Sequence, residues 1–263
     1  MTTGTVSLVV ADGVARVVIA NPAKMNAMSL AMWQELGGLV RSLADDESVR
    51  VLVLRGEGTR AFVSGADIGE FDSTRSAQTG SEAYDQAFEE AQAALVACPV
   101  PVIASIHGIC MGGGLALAVA CDLRYADDQG RFRMPAARLG LGYSYSGIRR
   151  MVEVLGDAVV SELFFTARTY DAGEAERVGI VNRAFADAAT LDLEVDTVAS
   201  AIAANAPLTV RLAKRSIGLA RHVDAAAAAA EIADGRSRCL ASADYVEGRR
   251  AFAEKRTPRF TGR

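Results

Sequence analysis

The stretch Val102–Cys121, VIASIHGICMGGGLALAVAC, limits the fold more tightly than any other part of the chain. Val102 to Ile106 is an apolar run of strand length, entered through Pro99 and Pro101. Leu115 to Cys121 is apolar at every position, and a helix with no polar face has to be buried all round. Between them stands the glycine run Gly112-Gly-Gly114. A strand, a glycine loop and a helix in that order make a corner whose exposed backbone can face a ligand. The apolar run from Gly108 to Cys121 is interrupted by glycine and is shorter than the ~20 residues a membrane-spanning helix needs. It therefore belongs to a globular interior.

The flanking sequence predicts alternating strands and helices. Ser7 to Ala20 holds two Val-rich runs around Asp12-Gly13, a dipeptide that accepts the positive φ of a tight hairpin turn. Asn21-Pro22 ends the second run. Ser29 can cap a helix in which Met32, Leu36, Leu39, Val40 and Leu43 recur at helical spacing. Val49 to Leu54 reads as a strand, Arg60 to Asp67 as a loop, Phe71 to Ser81 as a polar, mobile stretch, and Tyr84 to Ala97 as a helix. Asp122–Tyr125, Arg131–Met134 and Val181–Phe185 are further strands. From Leu191 the chain is mainly Ala-rich helix, including Ala225–Ala230, and it closes on the basic segment Lys255 to Arg259. The expected organisation is an α/β core over residues 1–190 with a helical region over 191–263, whose small side chains suit close subunit packing.

With 263 residues, the chain can bury a substantial core, and 51% hydrophobic against 23% charged residues excludes disorder. A net charge of −4 argues against nucleic acid as a partner, because phosphate neutralisation needs a concentrated basic surface. Cys98, Cys110, Cys121 and Cys239 show no C-x-x-C spacing, and His107 and His222 are the only histidines, so no metal site is expected. No basic residue precedes Arg16, unlike the start of a signal peptide. Reduced thiols in a cytoplasmic protein, away from membranes, follow as the expectation.

Backbone N–H groups of the Gly112–Gly114 run can point at an anion, with the helix N-terminus adding positive partial charge. The run matches neither G-x-G-x-x-G nor the Walker pattern, since no Lys-Ser/Thr follows it. An oxyanion suits this corner better than a nucleotide phosphate.

Asn21-Pro-x4-Ala27, Ala61-Phe-Val-Ser-Gly-Ala-Asp67, Pro101-Val-Ile-Ala-x3-Gly108, Gly112-Gly-Gly114, Cys121-Asp122 and the closing Ala251-Phe-x-Glu-Lys-Arg256 occur in a telling order. In order and spacing the chain resembles the enoyl-CoA hydratase/isomerase, or crotonase, superfamily over nearly its whole length. The resemblance implies a spiral of ββα units with a C-terminal helical trimerisation region, assembled as a homotrimer or a dimer of trimers. It implies an acyl-CoA thioester as substrate, with CoA part of the substrate and no separate cofactor. The thioester oxygen would lie between the backbone N–H groups of Ala66 and Gly113. CoA contacts would come from Ala23, Lys24 and Met25, from Ser64, Ala66, Asp67 and Ile68, and from Phe252 and Lys255, the last two across a subunit interface. Ordinary surface charge is the alternative for both lysines.

Two positions depart from that pattern. Hydratases of the family carry glutamates two residues after the glycine triplet and directly after the Pro of the downstream strand, and here these are Ala116 and Ala136. Hydration needs one group to activate water and one to deliver a proton, and alanine does neither. At the turn where some members place an aspartate, this chain has Tyr143-Ser144-Tyr145, with Ser144 at the aligned position. Tyr143 and Tyr145 are the candidate proton donors, with packing as their alternative role. Glu89 and Glu90 read as solvated helix charge, His107 as a satisfied core histidine, Asp67 as a helix cap and Asp122 as structural. Two functions stay open: an enzyme of acyl-CoA metabolism, a lyase or isomerase and a decarboxylase among the options, that stabilises a thioester enolate; or a non-catalytic acyl-CoA binding protein.

Overall fold

Asp12 and Gly13, at φ of 51° and 78°, turn the chain between β1 (Thr5–Ala11) and β2 (Val14–Ala20) in the computed structural model, which describes residues 4–67, 78–220 and 225–263. A short 3-10 turn, Pro22–Lys24, leads to α1 (Leu30–Ser42), capped by Ser29, whose side chain accepts from Met32 N–H. The chain then runs through β3 (Val51–Gly56), β4 (Ala61–Val63), α2 (Gln78–Ala97), β5 (Val102–Ile106), β6 (Ile109–Met111) and α3 (Gly113–Ala120). Next come β7 (Leu123–Asp127), β8 (Arg131–Arg133), α4 (Ala136–Leu139), α5 (Tyr145–Leu155), α6 (Asp157–Thr166), β9 (Thr169–Asp171), α7 (Ala172–Arg177) and β10 (Arg183–Phe185). Helices α8 (Ala188–Ala204), α9 (Pro207–Leu219), α10 (Ala225–Ala241) and α11 (Ala243–Glu254) complete it.

The strands fall into two sheets, ordered β1-β2-β3-β5-β7-β10 and β4-β6-β8-β9. From β3 onward three successive strand pairs repeat one plan: the first strand joins the large sheet, the second joins the small one, and a helix returns the chain. This is the expected α/β spiral of ββα units with a helical C-terminal region. Within it β3, β5 and β7 pair in parallel, as do β4, β6 and β8.

Parallel strands covered on both faces need apolar side chains on both. Leu52 and Leu54 of β3 enter the main core with α1, α2 and α3, whereas Val51 and Val53 face Leu191, Val195 and Ala199 of α8. Helix α3 is buried from Gly114 to Ala120, as its all-apolar sequence demands. Trp33, Phe62, Phe132 and Tyr170 are the bulkiest fully buried side chains of the core. No helix among the described residues is long and apolar enough to cross a membrane.

Several boundaries differ from the sequence expectation. The presumed loop Arg60–Asp67 contains β4, the approach to the glycines contains β6, and β9 was not expected at all. Each is only three residues long, too short for a periodic signal, and exists because a neighbouring strand supplies its hydrogen bonds. Helix α3 starts at Gly113 rather than Leu115, and α2 starts at Gln78, taking in the end of the stretch Phe71–Ser81. The earlier part of that stretch, together with Ile68, lies outside the described residues.

Candidate active site

Strands β4 and β6 run parallel as neighbours, so the segments leaving their C-terminal ends emerge side by side. One is Ser64–Asp67 and the other is Gly112-Gly113. Gly114 brings them together: a Cβ there would sit 2.1 Å from Val63 O, so only glycine lets α3 start against β4. Gly112, at φ +52°, makes the turn that precedes it.

Met28 clamps the first segment from the side. Its N–H donates to Gly65 O at 2.9 Å, and its carbonyl accepts from Asp67 N–H at 2.9 Å. In extended chain the groups of the intervening residue face the other way. The N–H of Ala66 accordingly has no acceptor among the described residues. At the second segment Gly112 N–H donates to Arg133 O at 2.9 Å, while Gly113, the first residue of α3, has one of the N–H groups a helix leaves unpaired. Two backbone donors with no acceptor among the described residues thus stand at the ends of adjacent parallel strands. Such a pair can stabilise charge developing on one oxygen.

The Ala23–Met25 turn lies against the same loop. Ser64 donates to it twice, from N–H to Met25 O at 3.2 Å and from Oγ to Lys24 O at 3.2 Å. Lys24 Nζ is 2.6 and 2.9 Å from the two oxygens of Asp67, with the carboxylate nearly buried and the lysine half exposed. Asp67 therefore pairs with Lys24. The turn is held by two buried asparagines. Asn26 Nδ2 donates to Glu57 O at 3.0 Å and Ala61 O at 2.7 Å, and Asn21 Nδ2 donates to Ala27 O at 2.9 Å. Asn26 was missed from sequence, where its φ of 55° gives no signal. Phe252 is 88% exposed, and no contact among the described residues carries it or Lys255 to this turn within the protomer.

A row of aromatic rings starts beside Gly113. A Cβ on Gly113 would lie 3.4 Å from Trp33 Cζ2 and 3.5 Å from Phe88 Cε2. Ring centroids then step 5.0 Å from Trp33 to Phe88, 6.4 Å from Phe88 to Tyr143 and 5.2 Å from Tyr143 to Phe164, each pair edge to face. The tyrosines separate here. Tyr143 is half-buried in this row, whereas Tyr145 is 80% exposed and lines a crevice of about 1020 Å³ between α2, α5, α9 and α10. Ser144 caps α5, accepting from Gly147 N–H at 3.3 Å. Glu89 borders the crevice, and Glu90 is exposed, accepting from Gln86.

Ala116 and Ala136 are both buried. Ala116 follows Gly113 by three residues, so both lie on one face of α3. Ala136 follows Pro135, whose Cδ is 3.8 Å from where a Cβ on Gly112 would be. Both alanines therefore flank the glycine corner and bring it no ionisable group.

The other titratable candidates sit apart. Asp122 Oδ2 accepts from Val102 N–H at 2.8 Å and meets Lys214 Nζ at 2.7 Å, tying α9 to the strand ends. Burial raises the thiol pKa of Cys98, Cys110 and Cys121, the last to about 12, which keeps them protonated and unreactive. His107 is a core histidine but not a satisfied one. Nε2 is 3.1 Å from Asp192 Oδ1, yet neither ring nitrogen makes a hydrogen bond of acceptable direction among the described residues. Burial lowers its pKa, outweighing the opposite pull of Asp192. With the folded pKa below the unfolded one, the stability of the neutral form is fully present above the unfolded value of about 6.5 and is lost as pH falls from there through the folded pKa. The melting temperature is expected to drop between pH 7.5 and 5.5, and to drop less in His107→Asn. Equal slopes for both proteins in a thermal melt series would show that His107 is not the group responsible.

Comparison with known proteins agrees with this architecture. The family model described as enoyl-CoA hydratase/isomerase matches residues 10–263. The crotonyl-CoA hydratase of Syntrophomonas wolfei is 33% identical over 242 residues, covering 92% of each chain. The peroxisomal Delta(3,5)-Delta(2,4)-dienoyl-CoA isomerase of Arabidopsis thaliana is 32% identical over 259 residues, covering 95% of this chain and 93% of that one. Among solved structures, an enoyl-CoA hydratase/carnithine racemase from Magnetospirillum magneticum superposes with a TM-score of 0.92 at 37% identity, over 100% of this chain and 97% of that one. By sequence and by fold, the chain belongs to the enoyl-CoA hydratase/isomerase family.

Proposed function

We propose that this protein binds an acyl-CoA thioester with its carbonyl oxygen between the N–H groups of Ala66 and Gly113, and that it acts on the thioester enolate without the two-carboxylate chemistry of hydration. The observation that carries this reading is the pair of unpaired donors at adjacent strand ends, flanked by Ala116 and Ala136 where a hydratase needs acids. CoA lies along the Lys24 turn and the Ser64–Asp67 loop. Lys24 is already neutralised by Asp67, so its role is to fix the turn as much as to meet phosphate.

Tyr143 is the better of the two candidate proton donors, because the aromatic row leads from it to Gly113. A tyrosine O–H, with a pKa of ~10, is protonated at neutral pH and suits donation to an enolate or a hydrogen bond to a departing carboxylate. Decarboxylation is therefore the chemistry to test first. Malonyl-, methylmalonyl- and ethylmalonyl-CoA are incubated with wild type, Tyr143→Phe and Tyr145→Phe, with products followed by mass spectrometry. Turnover is expected to fall at least tenfold in Tyr143→Phe and to stay within about threefold, or ~0.7 kcal/mol of barrier, in Tyr145→Phe. Turnover untouched by either change would make both tyrosines packing residues.

The burial of both alanines favours one second reading, a non-catalytic acyl-CoA binder that keeps the pocket. It predicts binding of all three thioesters and conversion of none.

The helical C-terminus supports self-association into a trimer or hexamer. Leu240, Val246 and Phe252 are 56%, 65% and 88% exposed on α10 and α11, and association would cover them. Light scattering is expected to report a trimer or its double at micromolar concentration, and Phe252→Asp to shift it toward smaller species. A wild-type monomer would remove this part of the reading.

A further inference from the structure

We propose that Trp33 and Tyr84 are positioning residues that hold the two backbone donors of the candidate site in register, a proposal that rests on the acyl-CoA reading above. Trp33 stands on α1 and is 1% exposed; Tyr84 stands on α2 and is 5% exposed. The indole Nε1–H donates to the Tyr84 hydroxyl at 2.8 Å, and that hydroxyl donates onward to Met28 O at 3.1 Å. The same carbonyl accepts from Asp67 N–H at 2.9 Å, while Met28 N–H donates to Gly65 O. Both lone pairs of Met28 O are thereby used. The relay ends on the residue that clamps the peptides on either side of Ala66.

The benzo edge of the same indole, next to its N–H, borders the other donor. Its Cζ2 and Cη2 atoms lie 3.4 and 3.8 Å from where a Cβ on Gly113 would be. One side chain thus stands beside the start of α3 and reaches the Ala66 loop through Tyr84 and Met28. Three segments far apart in sequence converge on this contact. Core packing alone does not require the Tyr84 hydroxyl, since phenylalanine at that position would fill nearly the same space. What phenylalanine cannot do is direct a hydrogen bond at Met28 O. Donors to a developing oxyanion act only when aimed closely at it, so a small drift of the Ala66 peptide costs stabilisation without emptying the pocket.

Neither side chain meets the thioester, so the readout has to be the polarisation of the bound carbonyl. Butyryl-CoA labelled with ¹³C at the thioester carbon is bound to wild type, Tyr84→Phe, Trp33→Phe and the double variant. Difference infrared spectra give the carbonyl stretch, calorimetry the Kd, and thermal melts the stability. Wild type is expected to lower the stretch relative to free ligand. Tyr84→Phe is expected to lose more than half of that lowering with Kd changed less than about threefold, and the double variant to lose no more than Tyr84→Phe, because both residues act through one carbonyl. A purely structural role would lower the melting temperature and leave the stretch of the bound ligand as in wild type, and that result overturns the proposal. Should Trp33→Phe not fold, Tyr84→Phe decides alone. A wild type that fails to bind butyryl-CoA, or binds it without any shift, overturns the acyl-CoA reading itself and this proposal with it.

Discussion

Crotonyl-CoA hydration by the wild-type chain is expected at background, and Ala116→Glu combined with Ala136→Glu is expected to raise it at least a hundredfold. General acid–base help contributes typically ~10²–10⁴ per group, and both groups are missing. The geometry makes restoration reasonable. Ala116 shares a helix face with Gly113, and Ala136 starts α4 beside Gly112, so carboxylates grown from them project toward the glycine corner. Both positions are buried, so each new glutamate has to find a partner or water in the pocket, and some stability is lost. A matched control adds Ala66→Pro to the double variant. Proline removes the Ala66 N–H, which has no acceptor among the described residues, and losing such a donor costs ~10²–10³ in rate. Robust hydration by wild type, or a double variant whose gained rate ignores Ala66→Pro, would place the chemistry elsewhere.

Gly114→Ala is expected to destabilise the fold by ~3 kcal/mol or more, whereas Gly113→Ala, one residue away, folds with a near wild-type melting temperature. The new Cβ at 114 would lie 2.1 Å from Val63 O and 2.8 Å from Val63 C. Those are backbone atoms of β4, which is hydrogen-bonded to β6 and cannot move without breaking the small sheet. Overpacking of this kind lies at or beyond the upper end of the usual ~1–3 kcal/mol. For a chain of this length it corresponds to a fall of roughly 6–12 °C in melting temperature. A Cβ at 113 meets only side-chain carbons, at 3.4 and 3.5 Å. Thermal unfolding of the two variants checks this, and equal stabilities would mean that α3 does not begin against β4 as described.

Sequence pattern and tertiary structure divided the work at the aromatic row in an instructive way. Tyr143 and Tyr145 are two residues apart and equally polar, and the chain alone gives no reason to prefer one. Folding puts Tyr143 between Phe88 and Phe164 and leaves Tyr145 on an open crevice. Trp33, Tyr84 and Phe88 raised no signal either, because an aromatic at helical spacing reads as core until its polar atom is seen to reach a particular carbonyl.

What the sequence determined by itself was everything whose physical cause is local or compositional. The Asp12-Gly13 turn, the Ser29 cap, the Val102–Ile106 strand and the all-apolar α3 follow from residue type at a given spacing, as does the glycine corner between the last two. The identity of residues 116 and 136 is equally plain in the chain, since a methyl group has no proton to give wherever it is placed. Tertiary structure alone decided the three-residue strands β4, β6 and β9, whose hydrogen bonds come from partners distant in sequence. It decided that Lys24 pairs with Asp67, that Gly114 is needed for a close approach to Val63, and that neither ring nitrogen of His107 makes a well-directed hydrogen bond among the described residues. These are relations between segments many residues apart, and no local pattern encodes a distance that only packing creates.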